Sequence, residues 1–130
     1  MHQHLVGKPL EGFAEFAMTV AAQGAVLLKN RPEVLPLDEL DTVAIFGRTQ
    51  INYYRSGTGS GGAVNVVSSC NLLDAMRARC GTRVNEVLAQ HYAQWVNTHP
   101  FDNGGGGWAQ EAWFQQEMPL SDEMVLQAKQ

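Results

Sequence analysis

Apolar residues recur at three- and four-residue steps through the first quarter of the chain. Phe13, Phe16, Ala17, Val20, Ala21, Gly24, Leu27 and Leu28 fall on one face, which predicts a helix with an apolar stripe. Glu11 and Glu15 lie near its start and Lys29 near its end, as the helix dipole favours. Asn30 and Pro32 are its expected stop. The pattern changes at Thr42. Residues 42–47 (TVAIFG) form a short apolar run with β-branched residues, closed by glycine, which predicts a buried strand of the parallel kind. Residues 48–69 carry no helical period. A helix is expected over 70–80, with Leu72, Leu73 and Met76 inward and Gly81 ending it. A short strand is possible over 82–85. A further helix follows over 86–96, with Val87, Leu88, His91, Tyr92 and Trp95 on one face. Residues 99–108 hold Pro100, Asp102, Asn103 and four glycines and read as a loop. Ser121 is placed to cap a last helix, with Asp122 and Glu123 in its first turn.

Helices alternating with short apolar runs suggest α/β layers. Only one strand is convincing, however, and a parallel sheet needs more. The expected fold class is therefore α/β, an incomplete three-layer sandwich with a mainly parallel sheet, with residues 1–130 one partial domain of something larger. Composition agrees with a packed domain: 45% of the 130 residues are hydrophobic and 17% charged. A net charge of -4, from nine basic and thirteen acidic residues, argues against nucleic acid or an anionic membrane surface as partner. No apolar run approaches the roughly 20 residues of a membrane span. The N-terminus lacks the apolar core of a secretory leader. Two cysteines, Cys70 and Cys80, are too few for a disulfide scaffold, so a cytoplasmic location is the simplest expectation.

Chemistry concentrates in the loops. Of thirteen glycines, Gly57, Gly59, Gly61 and Gly62 lie in one segment and Gly104, Gly105, Gly106 and Gly107 in another. The first segment formally matches G-x-G-x-x-G. A dinucleotide fingerprint, however, follows directly on a strand and opens a helix. Here about ten residues separate Gly47 from Gly57, and Ala63–Val67 begins a helix poorly. No Lys-Ser/Thr pair completes a phosphate loop. A plain flexible loop is one reading; the other is a loop whose backbone N–H groups and Ser60 approach a polar ligand. Residues 48–56 (RTQINYYRS) bring tyrosines, amides and arginines to the end of the expected strand, where polar ligands sit in parallel α/β folds. Either tyrosine could instead anchor the loop. The histidines show no metal-ligand spacing, so neither a metal nor any other cofactor is expected. Cys70 and Cys80, about 280° apart around a helix, are expected as small packing residues. Glu111, Glu117, Asp122 and Glu123 could include a catalytic pair; a solvated helix face with dipole-complementing charges is the plainer reading. Trp108, Trp113 and Phe114 could stack on a sugar or be an uncovered core edge.

Together these residues resemble a known family. Residues 21–30 (AAQGAVLLKN), then Leu35-Pro36-Leu37, then Val43-Ala44-Ile45-Phe46-Gly47, resemble the start of the sandwich domain of family 3 glycoside hydrolases. Ser56-Gly57-Thr58-Gly59-Ser60-Gly61 looks like that family's Gly-Ser loop, and Leu72-Leu73-Asp74-Ala75 like the helix behind it. The match is ordered and covers about residues 17–80. The resemblance implies retaining hydrolysis of β-glucosides and related oligosaccharides, with a nucleophilic aspartate on a barrel domain of the same protein. It also implies a general acid/base, commonly glutamate, on a later sandwich loop. No residue here matches either carboxylate: the Ser121-Asp122 pair is followed by Glu123, not an aromatic. The early position of the sandwich motifs looks like the subgroup with the barrel downstream. The implied role is scaffold and pocket wall, with Ser60, Gly59, Gly61, Tyr54 and Arg55 as substrate-contacting candidates and no catalytic residue. The alternative class is a non-catalytic carbohydrate-binding or interaction module using Tyr54, Trp108 and Trp113.

Overall fold

The computed structural model describes residues 9–53, 69–106, 110 and 112–129. The chain divides into two units, Met1–Glu39 and Leu40–Gln130.

In the first unit, α1 spans Phe13–Gly24, entered through Gly12 at φ 75°. Its length differs from the expected one. After Gly24 the backbone turns extended at Ala25 (φ -77°, ψ 122°), so Leu27 and Leu28 lie beyond the helix. Gly24 explains this: glycine is about 1 kcal/mol worse than alanine in a helix, and β-branched Val26 follows it. The apolar period ran on because these residues remain apolar, not because they remain helical. No residue of α1 is buried, and Phe13, Phe16 and Val20 are exposed.

The second unit holds α2 (Leu72–Cys80), α3 (Glu86–Thr98) and α4 (Asp122–Gln127). Each begins on a side-chain cap. Asn71 Oδ1 accepts from Asp74 N–H at 2.7 Å, Asn85 Oδ1 from Leu88 N–H at 3.0 Å, and Ser121 Oγ from Met124 N–H at 3.2 Å. Such caps satisfy N–H groups the helix itself leaves open and stabilise by about 1 kcal/mol each. Gly81, at φ 58°, ends α2. Arg77 on α2 pairs with Glu86 at the start of α3, at 2.6 Å, and this hydrogen bond holds the Glu86 carboxyl below its usual range.

The run 42–47 pairs with 84 in the parallel sense. Val43 N–H donates to Arg83 O at 2.7 Å, and Asn85 N–H to Val43 O at 2.9 Å. Among the described residues this is a single bridge rather than a full strand. The carbonyl of Ile45 is bonded instead by the Gln50 side chain at 2.9 Å. Two apolar clusters lie around this pairing. Leu73, Cys80, Val84 and Ala89 form one, with Val43 and Ile45 against it. Leu88, Tyr92 and Met118 form the other, with Ala44 and Trp95 against it. Ile51 touches both. Leu72 and Val87, expected inward, are exposed; in each helix the neighbouring leucine, Leu73 or Leu88, takes the core position. Cys80 is buried as expected, while Cys70 is exposed.

Among the described residues no helix is long and apolar enough to cross a membrane, and no group of three His, Cys, Asp or Glu side chains could hold a metal ion.

Candidate functional site

The chain leaves the Val43 bridge and turns sharply at Gly47, where φ is 94°, a backbone state glycine adopts without steric cost. A single 3-10 turn, Arg48–Gln50, follows. Two of its three side chains point inward: Arg48 is 2% exposed and Gln50 1%. Gln50 Nε2 donates to the carbonyls of Ile45 and Gly47 at 2.9 and 3.1 Å. It therefore closes the turn on itself.

Arg48 ties together segments distant in sequence. Nη1 donates to Gln116 O at 2.8 Å, and Nη2 donates to Asn52 Oδ1 and His99 O, both at 2.9 Å. The guanidinium lies 5.2 Å from the Trp95 ring and 6.0 Å from that of Phe101, within or at the limit of cation–π range. His99 in turn stacks on Trp95, with ring centroids 4.3 Å apart. Glu117 holds the backbone of the same residue: its two carboxylate oxygens accept from Arg48 N–H at 3.1 and 2.9 Å, and Oε1 also accepts from Met118 N–H at 2.8 Å.

These contacts change the reading of several residues. Arg48 and Gln50, grouped with a ligand-facing loop on sequence grounds, are buried structural groups. Glu117 caps a turn 69 positions away rather than lining a helix face. Asp122 and Glu123 occupy the first turn of α4, as anticipated. Tyr53 is exposed. The substrate candidates Tyr54, Arg55, Gly59, Ser60 and Gly61 lie outside the described residues, as do Trp108 and Glu111. Trp113 and Phe114 are 86% and 91% exposed, and aromatic faces this open can receive a sugar ring. Sequence reasoning missed the Arg48 clamp. The available signal was an arginine directly after a strand-ending glycine, followed at the fourth position by an asparagine able to accept from it.

Tyr92, on α3, is 1% exposed. Burial pushes its phenol above the usual tyrosine range. A hydrogen bond from the Gly47 backbone works against this, and the charge of Glu117 adds to it. The ionised phenolate is thus less favoured in the folded than in the unfolded chain. The stability this contributes is present below the unfolded tyrosine pKa of about 10 and is lost as pH rises through the higher folded value. Tyr92→Phe is expected to flatten the alkaline fall in unfolding free energy above about pH 10. Urea titrations between pH 8 and 11 check this, and an unchanged alkaline slope would refute it.

No family model matches the chain. Over 116 residues, 89% of its length, the chain is 46% identical to a β-glucosidase of Ruminococcus albus. It also superposes on the crystal structure of a β-glucosidase from Paenibacillus barengoltzii with a TM-score of 0.87 and 59% identity, over 96% of its length. The chain spans only 12% and 13% of these two relatives. It is thus similar, along nearly all of its length, to one segment of β-glucosidases.

Proposed function

We propose that the chain is the opening part of the sandwich domain of a retaining β-glucosidase of glycoside hydrolase family 3. In this reading its fold is one side of a three-layer α/β sandwich with a mainly parallel sheet, and a barrel domain elsewhere in the same polypeptide carries the nucleophile. The observation that supports it most is the 59% identity and common backbone with a β-glucosidase structure. The ordered family motifs of residues 17–80 agree with it, as does the parallel pairing of Val43 with Val84. The chain contributes scaffold and pocket wall: Tyr54, Arg55, Gly59, Ser60 and Gly61 approach the sugar, and the substrate is a β-glycoside or oligosaccharide. The two free cysteines, Cys70 and Cys80, suit a reducing, cytoplasmic setting.

Retaining hydrolysis needs two carboxyl groups about 5–5.5 Å apart across the scissile bond. The family motifs place neither among these 130 residues. The 130-residue chain alone is therefore expected to give no turnover of aryl β-glycosides above a buffer blank, while the complete glycosidase hydrolyses aryl β-glucosides. Turnover by the chain alone that is abolished by Asp122→Asn or Glu117→Gln would overturn this division of labour. A complete protein inert on a full panel of aryl glycosides would overturn the glycosidase reading itself. The second reading, a carbohydrate-binding module, is favoured by the openness of Trp113 and Phe114. It predicts oligosaccharide binding by the 130-residue chain that Trp113→Ala abolishes, measured by calorimetry.

A further inference from the structure

Two stretches of this chain are rich in glycine, and Arg48 is bonded to the approach of each. Asn52 lies five positions before Gly57, and His99 five positions before Gly104. One guanidinium nitrogen, Nη2, donates to both, at 2.9 Å each. The other terminal nitrogen donates to Gln116 O at 2.8 Å. The adjacent residue, Gln115, grips the second approach again. Its Oε1 accepts from Asp102 N–H at 2.8 Å and its Nε2 donates to Asp102 O at 2.9 Å. The turn Gly104–Gly106 follows directly. Residues 50–53, 99–106 and 115–117 are thus joined through one side chain.

The three groups that accept from the guanidinium are neutral, and Nε–H has no partner among the described residues. Burying this charge on neutral acceptors carries a desolvation cost that their hydrogen bonds must offset. What arginine adds is a rigid fork that fixes several acceptors at set angles.

We propose that Arg48 is a positioning residue that holds residues 50–53 and 99–106 as one unit, so that Tyr53 and the Gly104–Gly106 turn flank the same bound sugar. This rests on the glycosidase reading for its ligand, but not for the coupling itself. Two mild variants cut the unit on opposite sides: Asn52→Ala and Gln115→Ala. Hydrogen exchange of the 130-residue chain, read by mass spectrometry, is the first measurement. Asn52→Ala is expected to speed exchange in 101–106 as well as in 50–53, and Gln115→Ala to do the converse. Acceleration confined to the mutated side would overturn the coupling. The second measurement is kinetics of the complete glycosidase on an aryl β-glucoside. Each variant is expected to raise KM about two- to tenfold, the range for one hydrogen bond, with kcat falling less. The double variant is expected to fall short of the product of the two effects, and Arg48→Lys to restore none of the Asn52→Ala loss. Independent, multiplicative effects, or unchanged KM in both variants, would overturn the shared-sugar role. A wild-type enzyme without glycosidase activity would instead remove the ligand, leaving the exchange result to decide the coupling.

Discussion

Leu88→Ala is expected to lower the unfolding free energy by about 2–5 kcal/mol. Leu88 is 1% exposed and packs with Tyr92 and Met118, with Ala44, Ile51 and Trp95 at the edge of the cluster. It is the point where α3, the segment after the Val43 bridge and the residues before α4 meet. Truncation removes one methine and two methyl carbons from buried surroundings and leaves a cavity. Its neighbours are held by other contacts: the first turn of α3 by the Asn85 cap, and Met118 by its N–H bond to Glu117. Collapse into the void is thereby limited, so the upper half of the range is expected. Val87→Ala is the matched control. Val87 is adjacent in sequence but exposed, and surface changes of this kind usually stay within about 0.5 kcal/mol. Urea unfolding of both variants, followed by tryptophan fluorescence, gives the comparison. Equal midpoints would show that this cluster is not the core of the second unit.

How far the sequence disclosed this structure depends on the kind of signal involved. One helix start was legible from its short polar side chain: Ser121 caps α4 as its spacing from Asp122 and Glu123 implied, whereas the caps Asn71 and Asn85 were not singled out. The stop at Gly81 was legible for the same local reason. The overextended α1 shows the limit of periodicity, since apolar spacing records where a helix would bury itself and not where glycine lets the chain leave it. Leu72 and Val87 show a related limit. Each sits within about 100° of a true core leucine, and the stripe alone does not say which of two neighbours goes in. Arg48, Gln50 and Glu117 were misread for a different reason. Charged and amide side chains are mostly exposed, and their burial here depends on carbonyls and N–H groups contributed from 45–47, 99 and 116–118. That partnership is set by tertiary structure. The family resemblance reached as far as the likeness to β-glucosidases, because an ordered set of motifs integrates constraints that no single residue displays. The sugar-facing candidates around Ser60 rest on that resemblance.

Arg48→Met is expected to cost about 3 kcal/mol or more of stability, and Arg48→Lys about half as much. Methionine matches much of the volume, and its thioether packs well against rings such as Trp95 and Phe101, so the loss is chiefly polar. Three acceptors, on Gln116, Asn52 and His99, lose their donor together. A buried acceptor left unpaired costs about 1–3 kcal/mol. The Asn52 amide can turn outward and be hydrated, which leaves the two backbone carbonyls as the main penalty. Relief of the desolvation of the arginine charge offsets part of it, hence a figure near the low end of the sum. Lysine keeps the charge and can reach one carbonyl, but a single ammonium cannot reproduce the fork that spans Gln116 and His99. The contacts to Glu117 use the backbone N–H of Arg48, so they persist in both variants and hold the turn in place. The order wild type, Lys, Met in unfolding free energy, measured by urea titration at pH 7, is therefore the expected result. Methionine equal to or more stable than arginine would mean that water reaches both carbonyls once the guanidinium is gone, and that burial of this charge weakens the unit it joins.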